Sequence, residues 1–261
     1  MNILFIGDIV GQVGRRMVKE KLSSFVDKYQ IDFVIANGEN VTHGLGLIRN
    51  HYEQLIASGV DAVTLGNHYD AKNEIRRYID STDRLIRPAN LIKDYPGEGT
   101  ILFDLNGVTI RVTNLLGVSF MKEEVKSPYQ TLMDIIDNEE KATIHIVDYH
   151  GEATGEKKAF CYAVDGMVSA VIGTHTHVQT RDYQILNNGT AYISDVGMTG
   201  AKDGVLGFSK ETVVAKNIFG KQVKFEPVKE GRGLFSAVVI QIDEISGKAK
   251  QIFPIYYVED N

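Results

Sequence analysis

One cysteine, Cys161, stands in 261 residues. A single thiol closes no intramolecular disulfide and cannot build a cysteine-rich zinc site. A reducing compartment fits, and Cys161 reads as a small core residue. Basic residues are outnumbered, 28 Lys and Arg against 34 Asp and Glu, giving a formal net charge of −6. That balance argues against a nucleic-acid footprint spread over the whole surface. A nucleotide substrate is still compatible, because bound cations can supply positive charge locally inside an acidic protein. Long apolar runs are missing as well. Nothing approaches the roughly 18 apolar residues of a membrane helix. The N-terminal Met-Asn-Ile-Leu-Phe-Ile run is too short for a signal peptide and lacks its basic leader. The expectation is a cytoplasmic protein with no membrane contact. The 5 prolines are scattered, and no repeat, low-complexity tract or linker divides the chain. Residues 1–261 therefore read as one domain, and 43% hydrophobic residues suffice for a sizeable core.

What is present is a series of short apolar strands. Asn2 to Gly7, Asp32 to Ala36 and Ala62 to Leu65 read as buried strands. Helices over Gly11 to Tyr29 and Leu47 to Ser58 separate them, with a short helix over Ile75 to Ile79 after them. This order implies parallel βαβ units whose strand C-termini share one edge. Asn106-Gly107 then joins Gly99–Leu105 to Val108–Leu115 as a hairpin. Tyr129 to Ile136 reads as a helix, and Thr143 to Tyr149 and Ala170 to Ile172 as strands. Tyr183–Leu186 and Ala191–Ser194 flank the turn Asn188-Gly189, and Leu234–Ile242 with Ala249–Tyr257 read as a closing antiparallel pair. The expected architecture is α/β, a four-layer αββα sandwich of two mixed sheets packed face to face with helices outside.

The chemistry lies at the strand ends. They read Gly7-Asp8, Asn37-Gly38-Glu39-Asn40, Gly66-Asn67-His68, Tyr149-His150 and Gly173-Thr174-His175-Thr176-His177. Each alone is weak: an Asp after a strand is usually a cap or turn, and a lone His is usually structural. Together they place carboxylates, amides and imidazoles at one edge, where they repel or desolvate one another unless cations hold them. Candidate metal ligands are Asp8, Glu39, Asn40, Asn67, His150, His175 and His177. Oxygen and nitrogen donors without thiolate suit iron, manganese or zinc. A metal pair about 3.5–4 Å apart needs a bridging carboxylate, and Glu39 is the central acid of the set.

These residues resemble the calcineurin-like metallophosphoesterase superfamily, and within it the bacterial YmdB-type branch. That branch also carries strings like Asp148-Tyr-His-Gly-Glu-Ala-Thr-Gly-Glu-Lys157 and Asp195-Val-Gly-Met-Thr-Gly200. Two departures from the superfamily at large, Asp8-Ile9-Val10 without a histidine and Glu39-Asn40 in place of a bridging Asp, are features of the branch. In a third, Tyr69 stands where an acidic residue usually follows the histidine. The resemblance implies one metal on Asp8, Glu39, Asn40 and His177, and a second on Glu39, Asn67, His150 and His175. It implies iron or manganese, and hydrolysis of small phosphodiesters such as 2′,3′-cyclic nucleotides by a metal-bridging hydroxide. His68 would protonate the leaving oxygen without ligating.

Two rival readings stand beside this one. A nucleotide phosphomonoesterase would use the same donors, and a regulatory binding protein linked to RNA or RNA processing would keep the cage with little turnover. A homo-oligomer is expected. Gly44-Leu-Gly46 beside His43 reads as a rim at the site mouth or a plain turn. Glu152 reads as support for the ligands or as a solvated acid. Lys202-Asp203-Gly204 reads as a turn or a substrate contact, and His51 and His145 as non-functional.

Overall fold

The computed structural model describes residues 1–260. Alternation along β1 (Asn2–Ile6) sets the layering, because successive strand side chains point to opposite faces. Leu4 and Ile6 pack against helices, whereas Ile3 and Phe5 face a second sheet. β2 (Asp8–Ile9), α1 (Gly11–Tyr29), β3 (Phe33–Asn37), α2 (Arg49–Ala57), β4 (Ala62–Thr64) and β5 (Leu85–Ile86) follow. β1, β3, β4 and β5 pair in parallel, as the strand–helix order predicts. Val13, Met17 and Leu22 of α1, with Leu55 of α2, cover their outer face.

The second sheet is built from β6 (Thr100–Leu105), β7 (Val108–Leu116), β8 (Ile144–His150), β9 (Ala170–Thr174), β10 (Gln184–Ile185) and β11 (Ala191–Ile193), in the order β10-β11-β9-β8-β7-β6. β7, β8, β9 and β11 run parallel, and β6 and β7 form the expected hairpin. Ile110, Ile144, Ile146 and Ile172 meet Ile3, Phe5 and Ile35 of the first sheet. On the far face Leu132 of α3 (Pro128–Asn138) and Phe160 of α4 (Thr154–Ala163) pack on Val147, Tyr149 and Val171. The result is helix, sheet, sheet, helix, as expected.

The chain returns to the first sheet with β12 (Met198–Ala201), α5 (Lys210–Asn217), β13 (Gly233–Ile242) and β14 (Ala249–Val258). The expected closing pair exists, but it does not sit at an edge: β13 inserts between β12 and β1 and also pairs β14. Pairing across more than 230 residues leaves no local mark in sequence. Residues 73–81 form two 3₁₀ segments rather than a helix over Ile75–Ile79. So short a stretch cannot offset the cost of nucleating an α-helix without tertiary support. The strand expected over Tyr183–Leu186 shrinks to Gln184–Ile185. Among the described residues no helix is long and apolar enough to cross a membrane.

Candidate metal-binding active site

The parallel strands of both sheets carry their C-terminal ends to one rim. Asp8 follows β1, Glu39 and Asn40 follow β3, and Asn67 and His68 follow β4. His150 ends β8, and His175 and His177 follow β9. All eight residues singled out in the sequence are brought together there.

Glu39 is buried at the centre and faces two donor groups. Its Oε2 lies 3.4 Å from His150 Nε2 and accepts the His68 amide at 3.0 Å. Around His150 Nε2 stand Asn67 Oδ1 at 3.0 Å and His175 Nδ1 at 3.0 Å. Glu39, His150 and His175 present atoms within 4.8 Å of one another, close enough for one ion. On the other side, Glu39 Oε1 accepts from Asn40 Nδ2 at 2.9 Å. That amide lies 3.1 Å from His177 Nε2, which is 3.7 Å from Asp8 Oδ1.

The donor set fits cations. Asp8 Oδ1 is buried without any hydrogen-bond partner, a costly state for a carboxylate oxygen unless an ion or proton satisfies it. Burial raises the Asp8 carboxyl, and the His177 and His150 imidazoles offset this only in part. Burial also pushes Glu39 upward, but His150 and His68 outweigh it and hold that carboxyl below the usual range. In turn Glu39 overcomes burial at His150 and lifts its imidazole to about 9. His175, buried beside His150, falls to about 3. Gly66 keeps the cradle open: a Cβ there would meet Glu39 Oε2 at 2.3 Å and His150 Nε2 at 2.5 Å.

A surrounding frame aims these ligands, and most of it was not legible in the sequence. His150 Nδ1 meets Thr174 Oγ1 at 2.9 Å, and that hydroxyl donates to Asp148 Oδ1 at 2.6 Å. Asn37 bonds Asp148 and caps the Glu39 amide. His175 and His177 have φ of 107° and 66°, left-handed values rare for residues with a side chain. Their backbone is held by Asp8, which accepts the His175 amide at 3.2 Å, and by Asp195, which accepts the Thr176 amide at 2.9 Å. Lys157, wholly buried on α4, donates to Asp195 at 3.0 Å and to the Thr174 carbonyl at 2.8 Å. The Leu206 carbonyl lies 3.1 Å from His177 Nδ1; a proton there leaves the Nε2 lone pair facing Asp8.

The remaining candidates sort plainly. Glu152 lies 3.2 Å from His175 Nε2 at the rim, though its side chain is 52% exposed. Gly44 and Leu45 line the cavity, as the rim reading expects. Lys202-Asp203-Gly204 is a turn, with Asp203 gripped by Arg232. His51 and His145 are buried and bonded to Thr42 and Thr113. Asp70 pairs with Arg76 and Tyr95, and Tyr69 packs edge-on against Tyr95. The largest groove, about 1240 Å³ beside α1, contains none of the donors.

Two face-to-face mixed sheets with Asp, Glu, Asn and His gathered at their carboxyl ends define a metallophosphoesterase-type phosphatase or phosphodiesterase. The chain belongs to the family described as YmdB-like protein, whose model matches residues 4–255. It is 46% identical to the Bacillus subtilis protein named 2′,3′-cyclic-nucleotide 2′-phosphodiesterase, over 100% of this chain and 98% of that one. A solved phosphatase structure from Mycoplasma pneumoniae superposes with a TM-score of 0.93 at 38% identity, covering 100% of this chain and 94% of the other. The Haemophilus influenzae NAD nucleotidase shares the fold alone, with a TM-score of 0.61 at 14% identity over 99% of this chain and 56% of that one.

Proposed function

We propose that this site hydrolyses small phosphodiesters of the 2′,3′-cyclic nucleotide kind, using two metal ions, iron or manganese. The observation that carries the proposal is Glu39, whose two carboxylate oxygens face two separate donor groups. Asp8, Asn40 and His177 would hold one ion with Glu39. Asn67, His150 and His175 would hold the other with it. When bound, such a pair acidifies a water and polarises the phosphoryl oxygens. The named activity of the Bacillus subtilis relative supports this substrate class. We read the chain as one catalytic domain, because the core between the sheets draws on residues from Ile3 to Ile252.

The other roles belong to the chain itself. His68 lines the cavity with its side chain 35% exposed, and it stands beside the donors rather than among them. Its Nδ1 lies 3.0 Å from Asn40 Oδ1, which orients the ring, and Nε2 has no protein partner among the described residues. An alkoxide is a poor leaving group, so an imidazole so placed assists by delivering a proton to the departing ester oxygen. The buried Asp148–Thr174–His150 chain fixes the His150 ring against Asn67 and Glu39.

The test compares bis-p-nitrophenyl phosphate with p-nitrophenyl phosphate, on protein loaded with iron or manganese. Wild type is expected to cleave the diester preferentially. His68→Ala should lower kcat by about 10²–10⁴-fold and keep its metal, read by elemental analysis. Glu39→Gln should lose both metal and activity. Full turnover in His68→Ala removes the acid role, and wild type inert on both esters overturns the phosphodiesterase reading.

A further inference from the structure

The donors lie at one side of a cavity of about 640 Å³, a size typical of small-molecule sites. Its polar lining comes from Glu39, Asn40, His68, His175 and His177. Its apolar lining comes from one excursion between β12 and β13, through Val205, Leu206, Phe208, Val213 and Phe225. Phosphate and ribose are polar, so phosphodiester hydrolysis by itself gives no reason for this wall. The wall is also exposed: Leu206 is 43% and Phe225 39% accessible. Large apolar side chains left open beside a reactive centre mark a surface that a ligand covers.

The excursion is built to hold two rings in place. Phe208 packs on Gly44, where a Cβ would come within 3.1 Å of its ring carbons. Backbone bonds from Ser209 to the Glu226 carbonyl and from Val228 to the Gly207 carbonyl staple the two arms together. Phe208 and Phe225 then lie 5.8 Å apart, centroid to centroid, at 46°. Lys216 Nζ sits 4.6 Å over the Phe225 ring. The same excursion is tied to the reactive end: Leu206, at φ 53°, presents its carbonyl to His177 Nδ1. A molecule with a phosphate at His68 and a flat apolar ring a few ångströms away would span both ends.

We propose that this excursion is the base-binding wall of the site, with Phe208 and Phe225 stacking the nucleobase of a nucleoside 2′,3′-cyclic phosphate. The proposal rests on the phosphodiesterase reading of the same site and adds the residues that select its substrate. Stacking on aromatic rings tolerates any base, because every base has a π-face. The wall therefore selects for the presence of a base, with little preference among bases.

The experiment compares adenosine and uridine 2′,3′-cyclic phosphates with 1-O-methylribose 2′,3′-cyclic phosphate, which has no base. On metal-loaded wild type, kcat/KM should favour both nucleotides over the base-free ester by roughly tenfold or more, the scale of one base–aromatic stack. Phe225→Ala and Phe208→Leu should collapse that ratio towards one, and Phe225→Tyr should restore it. Calorimetric binding of adenosine 3′-monophosphate against ribose 3-phosphate should show the same preference and the same loss. Equal kcat/KM for all three esters in wild type, or an unchanged ratio in the Phe225 and Phe208 variants, overturns the wall while leaving the phosphodiesterase intact. If wild type hydrolyses none of them, the phosphodiesterase reading fails and calorimetry alone judges the wall: base-dependent binding lost in Phe225→Ala sustains it, and base-independent binding overturns it.

Discussion

Single residues in this protein divide into those that carry chemistry and those that merely occupy the core, and His145 shows how the second kind still titrates. Burial, reinforced by the Arg111 charge, holds its imidazole at about 3 against an ordinary 6.5. Between those values the unfolded chain binds a proton that the folded chain refuses. The contribution to stability is thus whole above 6.5 and is lost as pH falls towards 3, at about 1.4 kcal/mol per pH unit. His145→Gln can keep a bond to Thr113 without titrating. Its urea midpoint should fall less than that of wild type between pH 6.5 and 5, measured with a chelator present. Equal acid sensitivity in both proteins assigns the pH dependence elsewhere. At this scale the donors were legible, because Asp, Glu, Asn and His stand at apolar strand ends with no stabilising reason to gather. Asp148, Thr174 and Asn37 were not. A hydroxyl or amide inside a strand looks the same in sequence whether it steers a ligand or bonds a neighbour.

Elements were legible where the apolar period was clean and obscure where function interrupts it. α4 escaped the periodicity reading because a charged residue, Lys157, occupies its inward position beside Phe160 and Cys161. β12 escaped because Met-Thr-Gly-Ala carries little strand signal. α5 is short and buries only Val213. The cost of Lys157 on an inner face is offset by Asp195, and the pair pins the left-handed backbone of His175 and His177. Lys157→Met leaves Asp195 buried and unpaired, which should cost about 3–5 kcal/mol. Melting with chelator present reads that loss, and the metal-titration midpoint should weaken with it. Lys157→Met combined with Asp195→Asn should regain part of the stability but not the metal affinity, since Asn presents one acceptor where Asp195 uses two oxygens. A single substitution that melts like wild type removes the frame argument.

At the scale of the whole molecule, the layers followed from strand alternation, and the site followed from parallel strands ending together. Lys202-Asp203-Gly204 and the residues after it gave only turn signals, so the apolar excursion they open was invisible until Phe208 and Phe225 were placed over the donors. The insertion of β13 was equally hidden, and it bears on how the chain is made. A ribosome releases residues in order, and Asp8 through His177 emerge well before Gly233. Until β13 arrives, β1 lacks its antiparallel partner and presents an open apolar edge, the kind that pairs with other chains. The nascent protein can thus expose every donor while its first sheet is still split. A chain stopped after Arg232 should sediment as aggregates, and a separate Gly233–Asp260 peptide supplied during refolding should rescue monodisperse protein by completing the sheet from outside. Soluble, metal-retaining protein without those last residues would mean that the halves close by another route. Translation of the final tenth of the chain is therefore the step that commits all the rest to one shape.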